Sequence, residues 1–277
     1  MKKILLSLTA LVMLSACSDD DTANTNNTGP QLKKMTQTSY FNGTAESAGV
    51  FEFEDGKPSK NLYYSNSGTL TFYDTFIYNN GLLKSIKGFT ANDVLAQQSE
   101  ITYDALGRIS GSTNEYPVNN EYSKATTYVF NADNTITATT VSGTATQIKK
   151  YYLNSDNLIY KEVSENNTYE ITYNGSNPVS SRSNYGSKTF EYLETPTPPA
   201  NYNIWGNILG SYKANTVLRD NSLQDSELAN VTKYIKKEVQ ESEVIEYEYT
   251  FNDAQLPVKV KRYRNAVLED EMEYTYE

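Results

Sequence analysis

A short motif recurs along most of the chain and constrains its fold more than any other feature. Each copy begins with an aromatic or large apolar residue, continues with Asn, Asp or Glu and a turn, and ends in a short apolar stretch. The first residues of the copies are Phe53, Tyr78, Tyr103, Phe130, Leu153, Tyr173 and Phe251, and Tyr276 begins another. From Phe53 to Tyr173 they lie 25, 25, 27, 23 and 20 residues apart, the length of two strands and two turns. Asn and Asp bond back to their own backbone and Gly accepts positive φ, so each copy predicts a hairpin turn.

The residues between the copies support strands. Ile245, Tyr247 and Tyr249 alternate with Glu246 and Glu248, which is the period of a half-buried strand. The chain holds 24 tyrosines among many Thr, Ser and Asn residues, a composition that favours strands and polar turns. We therefore predict an all-β fold, an antiparallel meander of repeated hairpins that forms a large curved sheet or a barrel-like β-fold.

One region breaks the repeat. Residues 195–199 hold three of the eight prolines, which a central strand does not tolerate. Apolar residues then recur at helical spacing over about two turns: Ile204, Trp205, Ile208 and Leu209. This spacing predicts one short helix near 203–211 that caps the end of the sheet. Trp205 is the only tryptophan; it could stack against a sugar or plug the core, and its apolar neighbours favour the plug.

The N-terminus has the pattern of a processing segment. Lys2 and Lys3 precede an apolar run at 4–13, which is too short for a membrane span of about 20 residues. The run closes with Leu-Ser-Ala-Cys, ending at Cys17, and resembles the bacterial lipobox. That resemblance implies cleavage after residue 16 and lipidation of Cys17. The alternative is an ordinary signal peptide, 1–16, with a coincidental cysteine.

An acidic segment follows the cysteine directly. Its residues are Ser18, Asp19, Asp20 and Asp21, and they resemble the export signal that sends lipoproteins of Bacteroidota to the outer face of the outer membrane. The same composition also predicts a disordered tether. Asp21-Thr22-Ala23 resembles the O-glycosylation sequon of that phylum, which implies modification of Thr22. We therefore divide the chain into a signal peptide (1–16), an acidic flexible tether (17–34) and a single β-repeat domain (35–277).

Two resemblances bear on the repeat itself. The copy from Tyr103 to Ile109, Tyr-Asp-Ala-Leu-Gly-Arg-Ile, resembles the tyrosine-aspartate repeat of RHS-type proteins, whose strands wind into a long curved sheet. The lipobox, acidic tether and degenerate Tyr-Asn/Asp-Gly hairpins together resemble surface lipoproteins of gut Bacteroidota assigned to domains of unknown function. That second resemblance implies a porin-like β-fold. Both rest on turn motifs, so they imply architecture and no catalytic or binding residue.

Composition excludes several classes of chemistry. The chain has no histidine and a single cysteine, which excludes Ser-His-Asp and Cys-His catalysis, His-ligated zinc and internal disulfides. Its net charge of −10 without a basic block argues against binding of nucleic acid. The run Asp19–Asp21 lacks the preformed oxygen cage that calcium requires. We predict no catalytic residue, no metal site and no cofactor.

Three functional hypotheses remain. The first is a non-catalytic, lipid-anchored protein of the outer membrane, displayed at the cell surface, that binds or adheres to a glycan or a protein. The second is a structural accessory subunit of an outer-membrane assembly that contacts its partner through an exposed edge or loop. The third is a carboxylate-dependent glycoside hydrolase, which would need two acids about 5–10 Å apart in a cleft. The predicted partners are the membrane, through the lipid, and a glycan or an outer-membrane protein.

Alternation and turn length predict a register for the last three strands. Loops at 252–255 and 265–267 would place Tyr247, Val260 and Met272 in one row and Glu246, Lys261 and Glu271 in another. We expect the apolar row to face inward and the charged row to face water. A ligand site should then lie on the inner curve or among loops near Trp205.

Overall fold

The computed structural model describes residues 30–198, 213–220 and 230–277. These residues form eighteen strands: β1 (Leu32–Phe41), β2 (Thr44–Glu54), β3 (Lys57–Ser65), β4 (Leu70–Asn79), β5 (Leu82–Thr90), β6 (Leu95–Tyr103), β7 (Ile109–Glu115), β8 (Lys124–Phe130), β9 (Thr135–Ser142), β10 (Ala145–Leu153), β11 (Ile159–Val163), β12 (Thr168–Asn174), β13 (Asn177–Ser183), β14 (Gly186–Tyr192), β15 (Ile235–Gln240), β16 (Glu243–Phe251), β17 (Pro257–Arg264) and β18 (Val267–Tyr276). Each strand pairs antiparallel with the next, and β18 pairs with β1. The sheet therefore closes into a barrel, and the predicted all-β meander is confirmed.

Helices contribute little to the described residues. A 3₁₀ helix spans Asn120–Tyr122 and a short α-helix, α1, spans Asn215–Asp220. Neither was predicted, and the helix predicted near 203–211, with Trp205, lies outside the described residues. β14 ends at Tyr192, ahead of the proline-rich segment, as predicted. β1 begins at Leu32, three residues before the predicted start of the domain.

The meander gives the barrel two different ends. The turns that follow even-numbered strands, among them every copy of the repeat motif, lie at one end, which we call the motif end. The turns that follow odd-numbered strands lie at the other, the distal end. Gln31 and Glu277 exchange backbone hydrogen bonds of 2.9 Å at the motif end.

The polar residue of the motif builds its turn. The carboxylate of Asp104 accepts the backbone N–H groups of Leu106 and Arg108 at 2.9 and 3.0 Å, and the Arg108 side chain donates to it at 2.7 Å. Asn154 and Asn252 accept backbone N–H groups in the same way in their own turns. These side-chain bonds replace ladder bonds that a tight turn cannot make. The predicted hairpin turns are confirmed.

The tyrosines of the repeat tie neighbouring turns together. Each tyrosine that begins a copy donates its hydroxyl to the backbone carbonyl near the start of an earlier odd-numbered strand, at 2.7–3.0 Å: Tyr78 to Pro58, Tyr103 to Leu83, Tyr173 to Ile159 and Tyr276 to Pro257. Tyr192 and Tyr249, which begin no copy, donate in the same way to Pro178 and Ile235. A buried phenol requires such an acceptor. Burial raises the pKa of Tyr103 to about 12, because the charged phenolate would lose its hydration. These bonds explain why the motif so often begins with tyrosine.

The register of the last strands is partly as predicted. Val260 faces Met272 and Lys261 faces Glu271, so the pairing of β17 with β18 is confirmed. The loop between them has two residues, not three, and a bulge between Arg262 and Tyr263 supplies the missing residue. The predicted pairing of β16 with β17 is wrong by two residues, since Tyr249 and not Tyr247 faces Val260.

Two features each add one residue: the turn has five residues, 252–256, where four were predicted, and a bulge between Thr250 and Phe251 leaves Val258 without a partner in the β16–β17 pairing. A shift of two residues leaves every side chain on its predicted face. Val260 is accordingly buried, and the Glu248/Lys261/Glu271 row lies on the opposite, outer face.

The interior has two layers. Near the motif end it is apolar, with Leu83, Ile109, Ile136 and Ile159 fully buried. Farther along the same strands the inward residues become polar and form what we call the polar belt. Its buried members include Asn61, Asp74, Thr126, Glu162, Ser181, Glu238 and Asp270.

The connection between β14 and β15 covers part of the motif end. Asn215, at the start of α1, accepts the N–H of Ile109 and donates to the carbonyl of Gly107, both at 2.8 Å. Leu218 is fully buried against the apolar layer, and its carbonyl accepts the hydroxyl of Tyr128. The part of the connection just before β15 also binds the motif end, because Thr232 and Asn177 exchange two hydrogen bonds there. The apolar layer is thus covered by chain from outside the repeat.

Candidate binding site

The buried carboxylates of the polar belt bind other side chains of the barrel, and these contacts are structural. Asp270 accepts the hydroxyl of Ser39 at 2.7 Å and the amide of Gln37 at 3.2 Å, and it pairs with Arg262. Glu238 accepts the hydroxyl of Tyr247 at 2.5 Å. Burying such groups is tolerated because hydrogen bonds and opposite charges compensate their lost hydration. The polar belt therefore uses its acids to hold strands together.

One acid of the belt is less well compensated. Asp74 accepts the hydroxyl of Tyr63 at 3.0 Å and the amide of Gln97 at 3.5 Å. Burial raises the pKa of its carboxyl group, and the two hydrogen bonds offset this only in part. A Cβ atom at Gly88 would lie 2.8 Å from the same carboxylate, so the space around it is filled. Asp74 is 8% exposed and is closely packed on the side of Gly88.

The distal end carries one turn unlike the others. The connection from β7 to β8 has eight residues, 116–123, whereas the other distal turns have two to four. It includes the 3₁₀ helix, and Tyr116 N–H donates to Ser123 Oγ at 3.1 Å, which closes the turn on itself. The rings of Tyr116 and Tyr122 pack edge to face, with centroids 6.5 Å apart and planes at 82°. A rigid scaffold with one long, ordered loop is a common arrangement for binding sites.

A cleft of about 420 Å³ lies beneath this turn, and we call it the distal cleft. It is lined by Thr113, Asn114, Glu115, Tyr116, Pro117, Asn120, Ser123, Lys124, Ala125 and Val141. Its volume is within the range of about 300–1,000 Å³ that is typical of small-molecule sites. The cleft thus combines an aromatic wall with amide, hydroxyl, carboxylate and ammonium groups.

The two charged residues that line the distal cleft lie on opposite faces of the sheet, because Lys124 pairs with Asn114 and Ser142 on the inner face and Glu115 pairs with Gln98 on the outer face. Glu115 and Lys124 are exposed, and neither forms an ion pair within the part of the chain that the structure describes. Around the cleft lie exposed apolar side chains, since Val118 is 72% and Tyr122 61% exposed. Exposed apolar surface rimmed by polar groups is characteristic of interaction sites.

Two other surfaces are less suitable. On the outer face, Tyr73 and Phe89 stack with ring centroids 5.1 Å apart, and Lys60 Nζ lies 4.4 Å from the Tyr73 centroid, so both faces of Tyr73 are covered. A cavity of about 270 Å³ at the motif end contains Arg108. That side chain is bound to Asp104 and stacks on Phe130 at 4.0 Å. Both Tyr73 and Arg108 are thus already engaged by other side chains of the described residues.

The residues singled out from the sequence lie elsewhere. Cys17, Ser18, Asp19, Asp20, Asp21, Thr22 and Trp205 are all outside the described residues. The distal cleft was missed by sequence reasoning, although a signal was present. The spacing of 27 residues from Tyr103 to Phe130 is the longest interval between successive copies in that part of the chain, and it contains Tyr-Pro-Val-Asn-Asn-Glu-Tyr.

Comparisons with known proteins give structural neighbours only. No protein-family model and no curated protein matches the sequence. Among solved structures, a porin-like protein from Bacteroides uniformis is similar at a TM-score of 0.46 and 11% identity, over 89% of this chain and 98% of that one. A porin-like protein from Bacteroides vulgatus is similar at a TM-score of 0.42 and 15% identity, over 89% and 99%. Similarity at this level supports no argument about function.

Membrane-spanning helices and metal-binding clusters are both absent from the described residues. None of the helices in 30–198, 213–220 and 230–277 is long and apolar enough to cross a membrane. Within the same ranges, no group of three or more Cys, Asp or Glu side chains is arranged to hold a metal ion.

Proposed function

We propose that this protein is a non-catalytic, lipid-anchored protein of the outer membrane, displayed at the cell surface, that binds a glycan in the distal cleft. The residues that line the cleft are the observation that supports a glycan as the ligand. Sugars present hydroxyl groups that both donate and accept, together with apolar C–H faces. Asn120 offers both a donor and an acceptor, and Asn114 offers its amide N–H groups, since its Oδ1 already accepts the Ser99 hydroxyl at 2.5 Å. Glu115 accepts, Lys124 donates, and the ring of Tyr116 offers an apolar wall.

The distal cleft lies at the end of the barrel opposite Gln31. We propose that a lipid on Cys17 holds the barrel through the tether that precedes Gln31. The residues between Cys17 and Gln31 can span at most roughly 3.5 Å each, which sets the reach of the tether.

A glycan array with the purified protein tests the ligand class. We expect binding that Tyr116→Ala weakens at least tenfold, because the aromatic wall is lost. Tyr185→Ala is the matched control: this tyrosine is 76% exposed in the β13–β14 turn, also at the distal end. Absence of any glycan ligand, or equal loss in both variants, would refute the cleft as a glycan site.

Anchoring and display are tested separately. Cys17→Ser should leave the precursor uncut and unlipidated, and metabolic labelling with a fatty-acid analogue that still marks it would refute the lipobox. Replacing Asp19, Asp20 and Asp21 by Ala should protect the protein from protease added to intact cells. Unchanged sensitivity would remove the export role of the acidic segment.

A further inference from the structure

The distal part of β10 extends beyond β11 and forms an open edge of the sheet. β10 begins at Ala145 and pairs along its whole length with β9, but its pairing with β11 begins only at Lys150, opposite Val163. β11 then turns back at 164–167 to form β12. Residues 145–148 are all exposed, as expected for strand that extends beyond its neighbour.

The hairpin between β9 and β10 fixes which backbone groups face the opening. Its loop has two residues, beginning at Gly143 with φ +56°, and Ser142 closes it against Ala145. The closing pair of such a loop exchanges both of its hydrogen bonds, and the pattern alternates along the strand. Thr146 and Ile148 therefore direct their N–H and C=O groups away from β9, into the opening.

The side chains at this edge define the kind of strand that would fit. Ile148 is 60% exposed and pairs with Thr139, and Val141 beside it is 45% exposed and pairs with Thr146. All four lie on the outer face. An added strand would gain by placing an apolar residue against Ile148, since cross-strand neighbours stabilise a sheet by burying each other.

The negative charge of the chain and of Glu165 indicates that a strand added at this edge carries a basic residue. Glu165, in the β11–β12 turn, is exposed and has no ion-pair partner within the described ranges. The Ser164 N–H donates to the Asn167 carbonyl at 2.9 Å and closes the turn, so Glu165 lies at the tip of that turn, next to the end of an added strand. Two copies of a chain with net charge −10 repel each other, whereas a basic segment is attracted.

We propose that the open edge of β10, at Thr146 and Ile148, accepts an extended segment of another protein as an additional strand, with an apolar residue against Ile148 and a basic residue against Glu165. This mode of recognition uses backbone hydrogen bonds for affinity and side-chain contacts for specificity. Two residues offer four backbone groups, so a single contact is weak. Tethering both partners to one membrane raises the effective concentration and strengthens it.

The test uses a fluorescent, end-blocked peptide of alternating valine and threonine with a lysine at each end, and the full protein. We expect saturable binding by fluorescence polarisation and slower hydrogen exchange at the Thr146 and Ile148 amides. Ile148→Pro should weaken binding at least tenfold, because it removes an N–H that faces the opening while leaving the bonds to β9 intact. Ile148→Ser keeps that N–H and should lose less, and Glu165→Lys should weaken binding through charge alone.

Controls separate this proposal from glycan binding and from misfolding. Tyr116→Ala should leave peptide binding unchanged, and Ile148→Pro should keep the thermal midpoint of the native protein within a few degrees. Absence of binding at millimolar peptide, or equal binding by Ile148→Pro, would overturn the proposal. So would a dimer in sedimentation that Ile148→Pro abolishes, because a second copy would then occupy the edge.

Discussion

The two ends of the barrel are built by opposite rules. At the motif end, turns of similar chemistry recur, tyrosines tie one turn to an earlier one, and the interior is apolar. At the distal end, turns vary from two to eight residues, the inward side chains are polar, and several large apolar residues are exposed. The same strands run through both ends, and their inward residues change from apolar to polar along their length.

The comparison shows how a repeat can serve stability and recognition in one molecule. Apolar burial contributes most of the free energy of folding, and it is concentrated where the motif repeats. The distal turns contribute little to the fold beyond joining paired strands. Their sequence can therefore change without unfolding the barrel, and a surface whose residues can change in this way can acquire a binding site.

The largest expected effect is at the motif end. Leu83 is fully buried in the apolar layer, and Leu83→Ala should destabilise the protein by about 3 kcal/mol through lost burial and an unfilled cavity. Val141→Ala, at the exposed distal end, should cost less than about 0.5 kcal/mol. Chemical denaturation of both variants measures the contrast, and equal losses would show that the two ends contribute alike.

The polar belt should give an intermediate effect. Arg262→Met leaves the buried carboxylate of Asp270 with hydrogen bonds from Ser39 and Gln37 but without that opposite charge. We expect a loss of about 2 kcal/mol, and partial recovery when Asp270→Asn is added, since the stranded charge is then removed. A double-mutant cycle, measured by urea denaturation, gives the loss of unfolding free energy and its recovery. If Asp270→Asn only increases the loss caused by Arg262→Met, the ion pair does not hold these strands together.

The hydroxyl bond of one repeat tyrosine should contribute less to the unfolding free energy than either the Leu83 side chain or the Arg262–Asp270 ion pair. Tyr103→Phe leaves the Leu83 carbonyl without its donor and should cost about 1 kcal/mol at pH 7. The pKa of Tyr103 is raised to about 12, so the unfolded chain loses this proton first, near pH 10. Stability from the tie is therefore present below pH 10 and declines as the pH rises towards 12. The difference between wild type and variant should shrink over that range, and a constant difference would contradict the assignment.

Asp74→Asn should change stability in the opposite direction. Because burial raises the pKa of Asp74, its charged form is disfavoured in the folded state, and stability should rise as the pH falls through that pKa. An amide mimics the protonated carboxyl, still accepts the Tyr63 hydroxyl, and should raise the thermal midpoint by a few degrees at pH 7. Melting curves between pH 4 and 8 test this, and a lowered midpoint at every pH would refute it.

The smallest effect on stability should accompany the largest effect on binding. Replacing 117–122 by a two-residue Asn-Gly turn removes most of the loop over the distal cleft while β7 and β8 remain paired. We expect unfolding free energy to change by no more than about 0.5 kcal/mol, and binding to any glycan identified on the array to disappear. Loss of the fold would show that the loop stabilises the barrel.

Sequence reasoning was most successful where one residue determines local geometry. Asp104 and its counterparts bond to their own backbone, so the turns could be predicted from single copies of the motif. The register of β16 and β17 could not, because the bulge at Thr250 depends on neighbouring strands. α1 and the distal cleft were missed for a similar reason. Asn215 meets Gly107 from more than a hundred positions away, and no periodicity reports such a contact.

The pairing of β1 with β18 has a consequence for how the protein forms. Leu32 lies opposite Tyr276, so the ring cannot close until the strand that follows every other one in the sequence has joined it. Every other pairing of consecutive strands is more local, and the entropy of closing a loop grows with its length. Before closure the growing sheet has two unpaired rims, at β1 and at its newest strand, and such rims attract foreign strands. Assembly should therefore be slow in its last step, the pairing of β18 with β1.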